Sequence, residues 1–447
     1  MKKTGLWITG LLLAAALFMS CSGKETAEQK VENDGKNFVQ NLTQGNYQEA
    51  LAVMDTTMAK AMPAKRLDGA MQSLYRQFGE LKGLRDTVRT GKIDTFNIAY
   101  VTMEFSQMAI DAKVAFNPQG KVVDVSFVPA PVKVTYEPPD YVDEAAFSVY
   151  DVHFGDTAFQ ISGEILVPKG DGPFPGVVLV QGIGPADRDE TVGVEKPFRD
   201  IAGGLASQGI AVLRYDKRTF TYADKFRQLP DYTVKEEIID DAVSGFNTLR
   251  DRIKVDSSQV FILGHGLGGM LIPRIAKQTA DAAGYIILAG PTRPVEDLVY
   301  DQTKYMYSLD DTVTVEEMQS LAELKAAANI VKRLTPGSEA NADDLPMGLR
   351  PSYWLDLKNY NPTEAAKSIK KPMLILQGER DFQVTMKDYA KWEEVLGDRQ
   401  NVTLESYPDL NHLFVAGEGK SRPDEYYQPG HVAGHLVDYV AGWIKKN

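Results

Sequence analysis

Apolar residues in the C-terminal two-thirds of the chain occur in short continuous runs, separated by amphipathic stretches with helical spacing. Short unbroken apolar runs are typical of strands covered on both faces, and helices between such strands indicate parallel crossovers. The pattern therefore predicts an α/β domain over 141–447, with a mostly parallel central sheet and helices on both faces. The predicted central strands are 176–180, 210–215, 260–263, 285–288 and 372–376.

One gap in this alternation, residues 293–371, is too long for a single crossover connection. It carries apolar residues at helical spacing, among them Met306, Met318, Leu321 and Leu324. We expect this segment to form an inserted helical lid over the strand ends.

The preceding part of the chain, residues 31–130, has a different pattern. Apolar residues first recur at helical spacing, and alternating strands follow at 109–116 and 122–128, with Asn-Pro-Gln-Gly between them as a hairpin turn. The pattern predicts a small α+β domain, which resembles the NTF2-like domains that precede hydrolase domains in some bacterial lipoproteins. It contains no histidine, so we expect a spacer, a dimerisation surface or a cover over the second domain. A proline-rich linker, 131–140, follows it.

The N-terminus has the pattern of an export signal. Two lysines precede an apolar run over 6–18, and Cys21 follows this run directly. The position of Cys21 resembles the lipobox of bacterial lipoproteins, which implies a signal peptide over 1–21, a lipid on Cys21 and a polar tether over 22–30. We therefore expect an exported protein anchored to a membrane on the periplasmic or cell-surface side. An ordinary signal peptide with a stray cysteine is the alternative.

A candidate for catalytic chemistry lies at residues 264–269, Gly-His-Gly-Leu-Gly-Gly, between a predicted strand and a helical stretch. This setting is that of the nucleophile elbow, Gly-x-Ser-x-Gly, of α/β-hydrolases. Glycines suit the turn because strand and helix approach closely and the central residue adopts strained backbone angles. The central residue, where the motif has serine, is Gly266.

Two further residues complete the order nucleophile, acid, histidine that α/β-hydrolases have along the chain. Asp381 follows a predicted buried strand, and His412 follows the next strand. In such a triad the acid orients the imidazole, and the imidazole takes a proton from the nucleophile. Three positions in this order, each next to a predicted strand, favour the α/β-hydrolase fold.

Three further stretches accompany the elbow: 181–185 (Gln-Gly-Ile-Gly-Pro), 187–190 (Asp-Arg-Asp-Glu) and 213–218 (Leu-Arg-Tyr-Asp-Lys-Arg). With these stretches the chain resembles a family of bacterial carboxylesterases, which also carry a small N-terminal domain. The resemblance implies hydrolysis of carboxylic esters through an acyl-serine, with Gly266, Asp381 and His412 at the three catalytic positions. It implies a small-molecule ester or a related acyl compound as the ligand.

The chain departs from this family in two loops of the expected site. Members typically have His-Gly-Ser-Gly-Pro where this chain has Gln181 and Ile183 in the first and third places. The backbone N–H groups of Ile183 and Leu267 are the candidate oxyanion-hole donors, and a backbone donor survives a change of side chain. We assign Gln181 to the same binding region.

Composition and charge narrow the possible partners. The chain of 447 residues is 43% hydrophobic and 25% charged, and its net charge of -12 leaves no basic surplus for nucleic acid. The glycine-rich turn lacks the Lys-Ser/Thr of a phosphate-binding loop, so no nucleotide cofactor is expected. His431 and His435 share a helix face but lack an H-E-x-x-H context, so no metal is expected either.

Three hypotheses about activity follow from Gly266. The first is a catalytically silent binding or regulatory protein, because acyl-enzyme turnover is chemically impossible without a hydroxyl. The second is a residual hydrolase in which His412 activates water. The third is an ordinary serine esterase in which Gly266 is a variant. Loss of the nucleophilic serine costs on the order of 10⁶-fold in the rate of a serine hydrolase.

Overall fold

The computed structural model describes residues 26–93, 95–131, 135–309 and 313–447. The predicted signal peptide and Cys21 lie outside the described residues. The chain divides into two compact units, and the larger one consists of Pro129–Asn447 together with the short segments Gln72–Glu80 and Ser106–Met108. The division after Val128 lies close to the predicted start of the linker.

The N-terminal part of the chain forms helices first and a sheet afterwards. Its five-stranded sheet has the order β1-β3-β4-β5, and β2 also pairs with β3. β3 is antiparallel to β1, β2 and β4. In the described residues the elements are α1 (Ala27–Thr43), α2 (Tyr47–Val53), α3 (Thr56–Ala61), α4 (Ala64–Phe78), β1 (Leu81–Leu84), β2 (Arg89–Ile93), β3 (Phe96–Phe105), β4 (Ala109–Phe116) and β5 (Val122–Pro129).

Helix α1 corrects the predicted tether. It begins at Ala27, so residues 27–30 are helical and do not belong to a flexible segment. The physical reason is a capping box: the Thr26 hydroxyl accepts from the N–H of Gln29, and the Gln29 side chain accepts from the N–H of Thr26. A polar composition therefore did not prevent helix formation here.

The larger unit is built on an eight-stranded sheet with the order β13-β12-β11-β10-β8-β9-β7-β6. The pairs from β9 through β8, β10, β11 and β12 to β13 are parallel. The remaining pairs of this sheet among the described residues, β6 with β7 and β7 with β9, are antiparallel. The strands are β6 (Phe147–Phe154), β7 (Ile161–Pro168), β8 (Phe174–Val180), β9 (Ala211–Tyr215), β10 (Val255–His265), β11 (Gly284–Leu288), β12 (Met373–Gly378) and β13 (Val402–Tyr407).

Apolar side chains cover both faces of this sheet, which explains the unbroken runs in the sequence. On β10, for example, Ile262 belongs to the hydrophobic core on one face, and Phe261 and Leu263 belong to the core on the other. Strand order, direction and two-sided burial confirm the predicted α/β-hydrolase fold.

Helices connect these strands and surround the sheet. The α-helices of the described residues are α5 (Pro197–Ser207), α6 (Arg218–Thr221), α7 (Ala223–Arg227), α8 (Asp240–Arg250), α9 (Leu267–Ala276), α10 (Val295–Tyr307), α11 (Val315–Arg333), α12 (Pro351–Leu357), α13 (Pro362–Ala366), α14 (Met386–Leu396) and α15 (Gly434–Lys446). A π-helical turn spans Lys235–Ile239, and 3₁₀ turns span Glu144–Ala146, Ala342–Asp344, Pro346–Gly348 and Pro423–Tyr427. Helices α10 to α13 occupy the segment for which a helical lid was predicted. No helix in the described part of the chain is both long and apolar enough to span a membrane.

Candidate active site

The site is centred on the sharp turn between β10 and α9. Gly266 lies at this turn with φ 51° and ψ -121°, a conformation that side-chain-bearing residues adopt only with strain. The start of the helix passes close to the end of β8: a Cβ atom at Gly268 would lie 2.5 Å from the carbonyl oxygen of Val180. The backbone is therefore that of a nucleophile elbow, although its central residue has no side chain.

Asp381 and His412 meet beside this turn. Asp381 Oδ2 lies 2.7 Å from His412 Nδ1. The other carboxylate oxygen, Oδ1, accepts from the backbone N–H groups of Gln383 at 2.7 Å and Val384 at 2.9 Å. Asp381 is 3% exposed and His412 is 8% exposed. The carboxylate is thus held in one orientation and in turn fixes the imidazole, as a general base requires.

The free nitrogen of His412 faces the space above Gly266. A Cβ atom at position 266 would lie 3.8 Å from His412 Nε2 and 3.7 Å from Gly182 Cα, both ordinary van der Waals distances. The site therefore has room for a side chain at this position. A hydroxyl on that carbon would come within hydrogen-bond reach of Nε2.

The candidate oxyanion donors lie on the two loops that meet at Gly266. Neither the N–H of Ile183 nor that of Leu267 donates to another group within the described residues. Both neighbours of Ile183 do donate: the N–H of Gly182 lies 2.7 Å from Glu190 Oε1, and the N–H of Gly184 lies 3.0 Å from Glu237 Oε1. Ile183 and Leu267 thus keep two backbone donors available at the elbow.

A second histidine, His265, connects the loops around the site through hydrogen bonds. His265 Nδ1 lies 3.0 Å from Glu190 Oε2, and His265 Nε2 lies 3.0 Å from the carbonyl oxygen of His412. Burial disfavours the charged ring, but the Glu190 carboxylate and the His412 carbonyl more than offset this and raise the pKa of His265. Through Glu190 and His265, the loop after β8, the elbow and the His412 loop are hydrogen-bonded to one another.

A cavity of about 230 Å³ opens over these groups. Its floor includes Gly266, Leu267 and His412, and the loop after β8 forms one wall. Helix α10 contributes apolar residues to its lining, and Met347 comes from the same inserted segment. The apolar residues of α10 that line the cavity are Val295, Leu298 and Val299.

Gln181 occupies a different place from the one the sequence indicated. It does not line the cavity, is 1% exposed, and its amide donates to the carbonyl oxygen of Tyr215. Two other buried charges near the site, Lys217 and Glu237, form an ion pair at 2.7 Å, and no feature of the sequence indicated Glu237 as the partner of Lys217. The sequence pointed to Lys217 through its place two residues after the end of β9, in the stretch 213–218 that carries the family resemblance.

The chain is similar to known hydrolases and esterases. A model of the dienelactone hydrolase family matches residues 352–433. Esterase EstD of Thermotoga maritima is 39% identical to this chain over 412 residues, which is 92% of this chain and 94% of that protein. This chain belongs to the same family of α/β-hydrolase esterases.

Further matches concern the N-terminal part of the chain and solved structures. Residues 35–124 match a family described as protein of unknown function, DUF3887. The Pyrococcus furiosus esterase Pf2001 is 17% identical, with a TM-score of 0.43 over 71% of this chain and 96% of that one. Est1E of Butyrivibrio proteoclasticus is 15% identical, with a TM-score of 0.42 over 66% of this chain and 96% of that one.

Proposed function

We propose that this protein binds small carboxylic esters, or related acyl compounds, in the cavity above Gly266 and that its hydrolytic turnover is strongly reduced. One observation carries the proposal: the buried Asp381–His412 pair, joined at 2.7 Å, points His412 Nε2 at a position 266 that has space but no hydroxyl. The kinship with an esterase supports the ligand class. A ligand carbonyl oxygen would accept from the N–H groups of Ile183 and Leu267.

Without a hydroxyl at residue 266 no acyl-enzyme forms, so residual hydrolysis requires direct attack by water. His412 Nε2 takes a proton from a water molecule whose oxygen bonds to the ester carbonyl carbon. The carbonyl π electrons move onto the oxygen held by the two N–H groups, and collapse of this intermediate expels the alcohol oxygen. That oxygen takes the proton from the His412 imidazolium, which leaves a carboxylic acid and an alcohol.

The decisive experiment replaces Gly266 and measures hydrolysis of p-nitrophenyl butyrate. Gly266→Ser is expected to raise kcat by at least about 10³-fold and to produce a burst of p-nitrophenol, because acyl-serine chemistry then becomes possible. Gly266→Ala is the matched control, since it introduces the same Cβ and the same backbone strain of about 1–3 kcal/mol without a hydroxyl. A Gly266→Ser protein that is folded but no more active than Gly266→Ala would overturn the proposal that the ester site is otherwise complete.

A second substitution distinguishes slow hydrolysis from ligand binding alone. If water activated by His412 accounts for wild-type turnover, His412→Ala abolishes it; turnover that is unchanged in His412→Ala rules this route out. A protein that binds without hydrolysing is instead expected to show ligand-dependent thermal stabilisation and no release of alcohol. Absence of both turnover and stabilisation across a series of esters would contradict the proposed ligand class.

We further propose that the chain is exported and lipid-anchored through Cys21. Residues 31–130 form an NTF2-like domain in this proposal, serving as a spacer, a dimerisation surface or a cover. Support for the anchor is the position of Cys21 directly after the apolar run. Support for the second statement is the helix-then-sheet pattern of α1 to α4 followed by β1 to β5.

A further inference from the structure

A second buried polar network lies beside the elbow and uses residues that the proposed chemistry does not involve. Lys217 Nζ lies 2.7 Å from Glu237 Oε1, and the Tyr353 hydroxyl donates to Glu237 Oε2 at 2.6 Å. All three side chains are almost completely buried, at 1%, 3% and 0% exposure. Lys217 follows β9, Glu237 lies in the π-helical turn Lys235–Ile239, and Tyr353 comes from α12 of the inserted segment.

This network holds the backbone of the loop after β8. Lys217 Nζ donates to the carbonyl oxygens of Gly182 and Gly184, each at 2.7 Å. Glu237 Oε1 accepts from the N–H of Gly184 at 3.0 Å. The three donors of the ammonium group are thus matched by three acceptors, two on this loop and one on Glu237.

The consequence for Ile183 follows from peptide geometry. The carbonyl of Gly182 and the N–H of Ile183 belong to one planar trans peptide unit, so they point in opposite directions. Because Lys217 holds the Gly182 carbonyl, it also directs the Ile183 N–H away from the lysine. Ile183 and Gly182 both line the cavity at Gly266, and a Cβ at Gly266 would contact Gly182.

We propose that Lys217, Glu237 and Tyr353 are positioning residues that aim the Ile183 N–H at the oxygen of the bound ester. The proposal rests on the proposed function, since it concerns the oxyanion donor of that same site. It assigns a task to a buried ion pair, which is costly to bury and which a pair of apolar side chains of similar volume often replaces without loss of stability. Tyr353 also connects the inserted segment to this donor.

The first test uses Gly266→Ser protein, in which turnover is measurable. Adding Glu237→Gln or Lys217→Met is expected to lower kcat for p-nitrophenyl butyrate about 10- to 100-fold, with KM changed less than about twofold, because the donor acts mainly in the transition state. Tyr353→Phe removes one hydroxyl without leaving an unpaired charge and is expected to lower kcat about 3- to 10-fold. This milder variant keeps the test valid if the charge variants fail to fold.

The matched control is Asp241→Asn. Asp241 is a buried carboxylate close to Glu237 in the chain, and it pairs with Arg218, the neighbour of Lys217, at 2.9 Å between Nε and Oδ2. It makes no hydrogen bond to the loop 182–184 among the contacts of the described residues. We expect Asp241→Asn to lower thermal stability as Glu237→Gln does, yet to leave kcat within about twofold. Equal losses of kcat in both variants would show a general packing effect and overturn the proposal.

A second test needs no turnover. Hydrogen exchange of the segment 181–186 in otherwise wild-type protein is expected to become faster in Lys217→Met and to stay unchanged in Asp241→Asn. Inactivity of Gly266→Ser together with faster exchange would contradict the proposed function but not the role of Lys217 in holding the loop. Unchanged exchange in Lys217→Met would overturn the inference, whatever the activity of Gly266→Ser.

Discussion

Gly266 combines two physical effects in one residue. Its φ of 51° lies in the left-handed region, which glycine adopts without steric cost. Serine at this position supplies a nucleophile but pays for it with backbone strain. Glycine therefore removes both the backbone strain of the elbow and its nucleophilic hydroxyl. The hydrogen bond between Asp381 and His412 is nevertheless present beside it.

His265 illustrates how a residue next to the nucleophile position acts through the backbone. Its ring joins Glu190 to the carbonyl group of His412, so it ties down the loop that carries His412. The Glu190 carboxylate also accepts from the N–H of Gly182. These bonds remain whether residue 266 is glycine or serine, because none of them involves its side chain.

Glu195 predicts a pH dependence of stability. Burial and the nearby Asp200 carboxylate raise the pKa of Glu195 to about 8, and its Oε2 has no hydrogen-bond partner among the described residues. Between pH 4.5 and about 8, the Glu195 carboxyl is therefore protonated in the folded state and ionised in the unfolded state. The free energy of unfolding should fall as pH rises through this window. In urea denaturation, Glu195→Gln should show a weaker fall than wild-type protein.

Exposed Glu144 supplies the comparison for this prediction. Glu144→Gln removes the same charge at the surface and is expected to leave the pH dependence of the urea midpoint as in wild-type protein. If the urea midpoint of Glu195→Gln depends on pH as strongly as that of wild-type protein and of Glu144→Gln, Glu195 does not cause the pH dependence.

At the scale of secondary-structure elements, helix α10 of the inserted segment borders the space in which we propose that a ligand binds. Val295, Leu298, Val299 and Gln302 line the cavity and are spaced three and four residues apart, so they form one face of the helix. The face is mainly apolar, which suits the acyl chain of an ester rather than a charged group. The inserted segment thus contributes part of the cavity lining.

This arrangement predicts that a larger residue on α10 shortens the accepted acyl chain. In Gly266→Ser protein, Val299→Trp is expected to lower kcat/KM for p-nitrophenyl hexanoate about tenfold or more relative to p-nitrophenyl acetate, because the longer chain loses its space. Steady-state kinetics with the two esters measures the ratio.

The control for this prediction about α10 is a residue on α11, the next helix along the chain. Val315 at the start of α11 is 68% exposed and does not line the cavity. Val315→Trp should leave the hexanoate-to-acetate ratio unchanged. An unchanged ratio in Val299→Trp as well would mean that the acyl chain does not lie against α10.

At the scale of the whole molecule, the proposed lipid on Cys21 predicts where the protein is found. Cys21→Ser should abolish incorporation of an alkyne-labelled fatty acid in a bacterial expression host and should release the protein from the membrane fraction. The reason is that diacylglyceryl attachment requires the thiol. Gel fluorescence and fractionation of cells measure the two effects.

Ser22→Ala serves as the neighbouring control, since it leaves the thiol in place. It should retain both the fatty-acid label and the membrane fraction. Wild-type protein without label would contradict lipidation, even if it sediments with membranes.

Much of the α/β-hydrolase architecture could be predicted because it depends on local patterns. The apolar runs correspond to strands β8 to β12, and the flanking elbow glycines, Gly264 and Gly268, indicate a close approach of strand and helix that leaves no space for a Cβ atom. Gly266, Asp381 and His412 could be recognised as candidates because each follows a predicted strand, in the order that α/β-hydrolases have. Helix α1 was less predictable, since its start depends on a reciprocal hydrogen bond between Thr26 and Gln29.

By itself the sequence determined the fold, the elbow and the absence of a hydroxyl at Gly266, because periodicity and residue identity are local properties. Only the tertiary structure decided that Gln181 lies away from the cavity and that Lys217, Glu237 and Tyr353 meet at the loop of Ile183. These residues lie far apart in the chain, and their hydrogen bonds form only when parallel strands and an inserted helix bring them together. A charge buried away from water is costly unless it is paired, and the residues that can pair with it are those that the tertiary packing brings close.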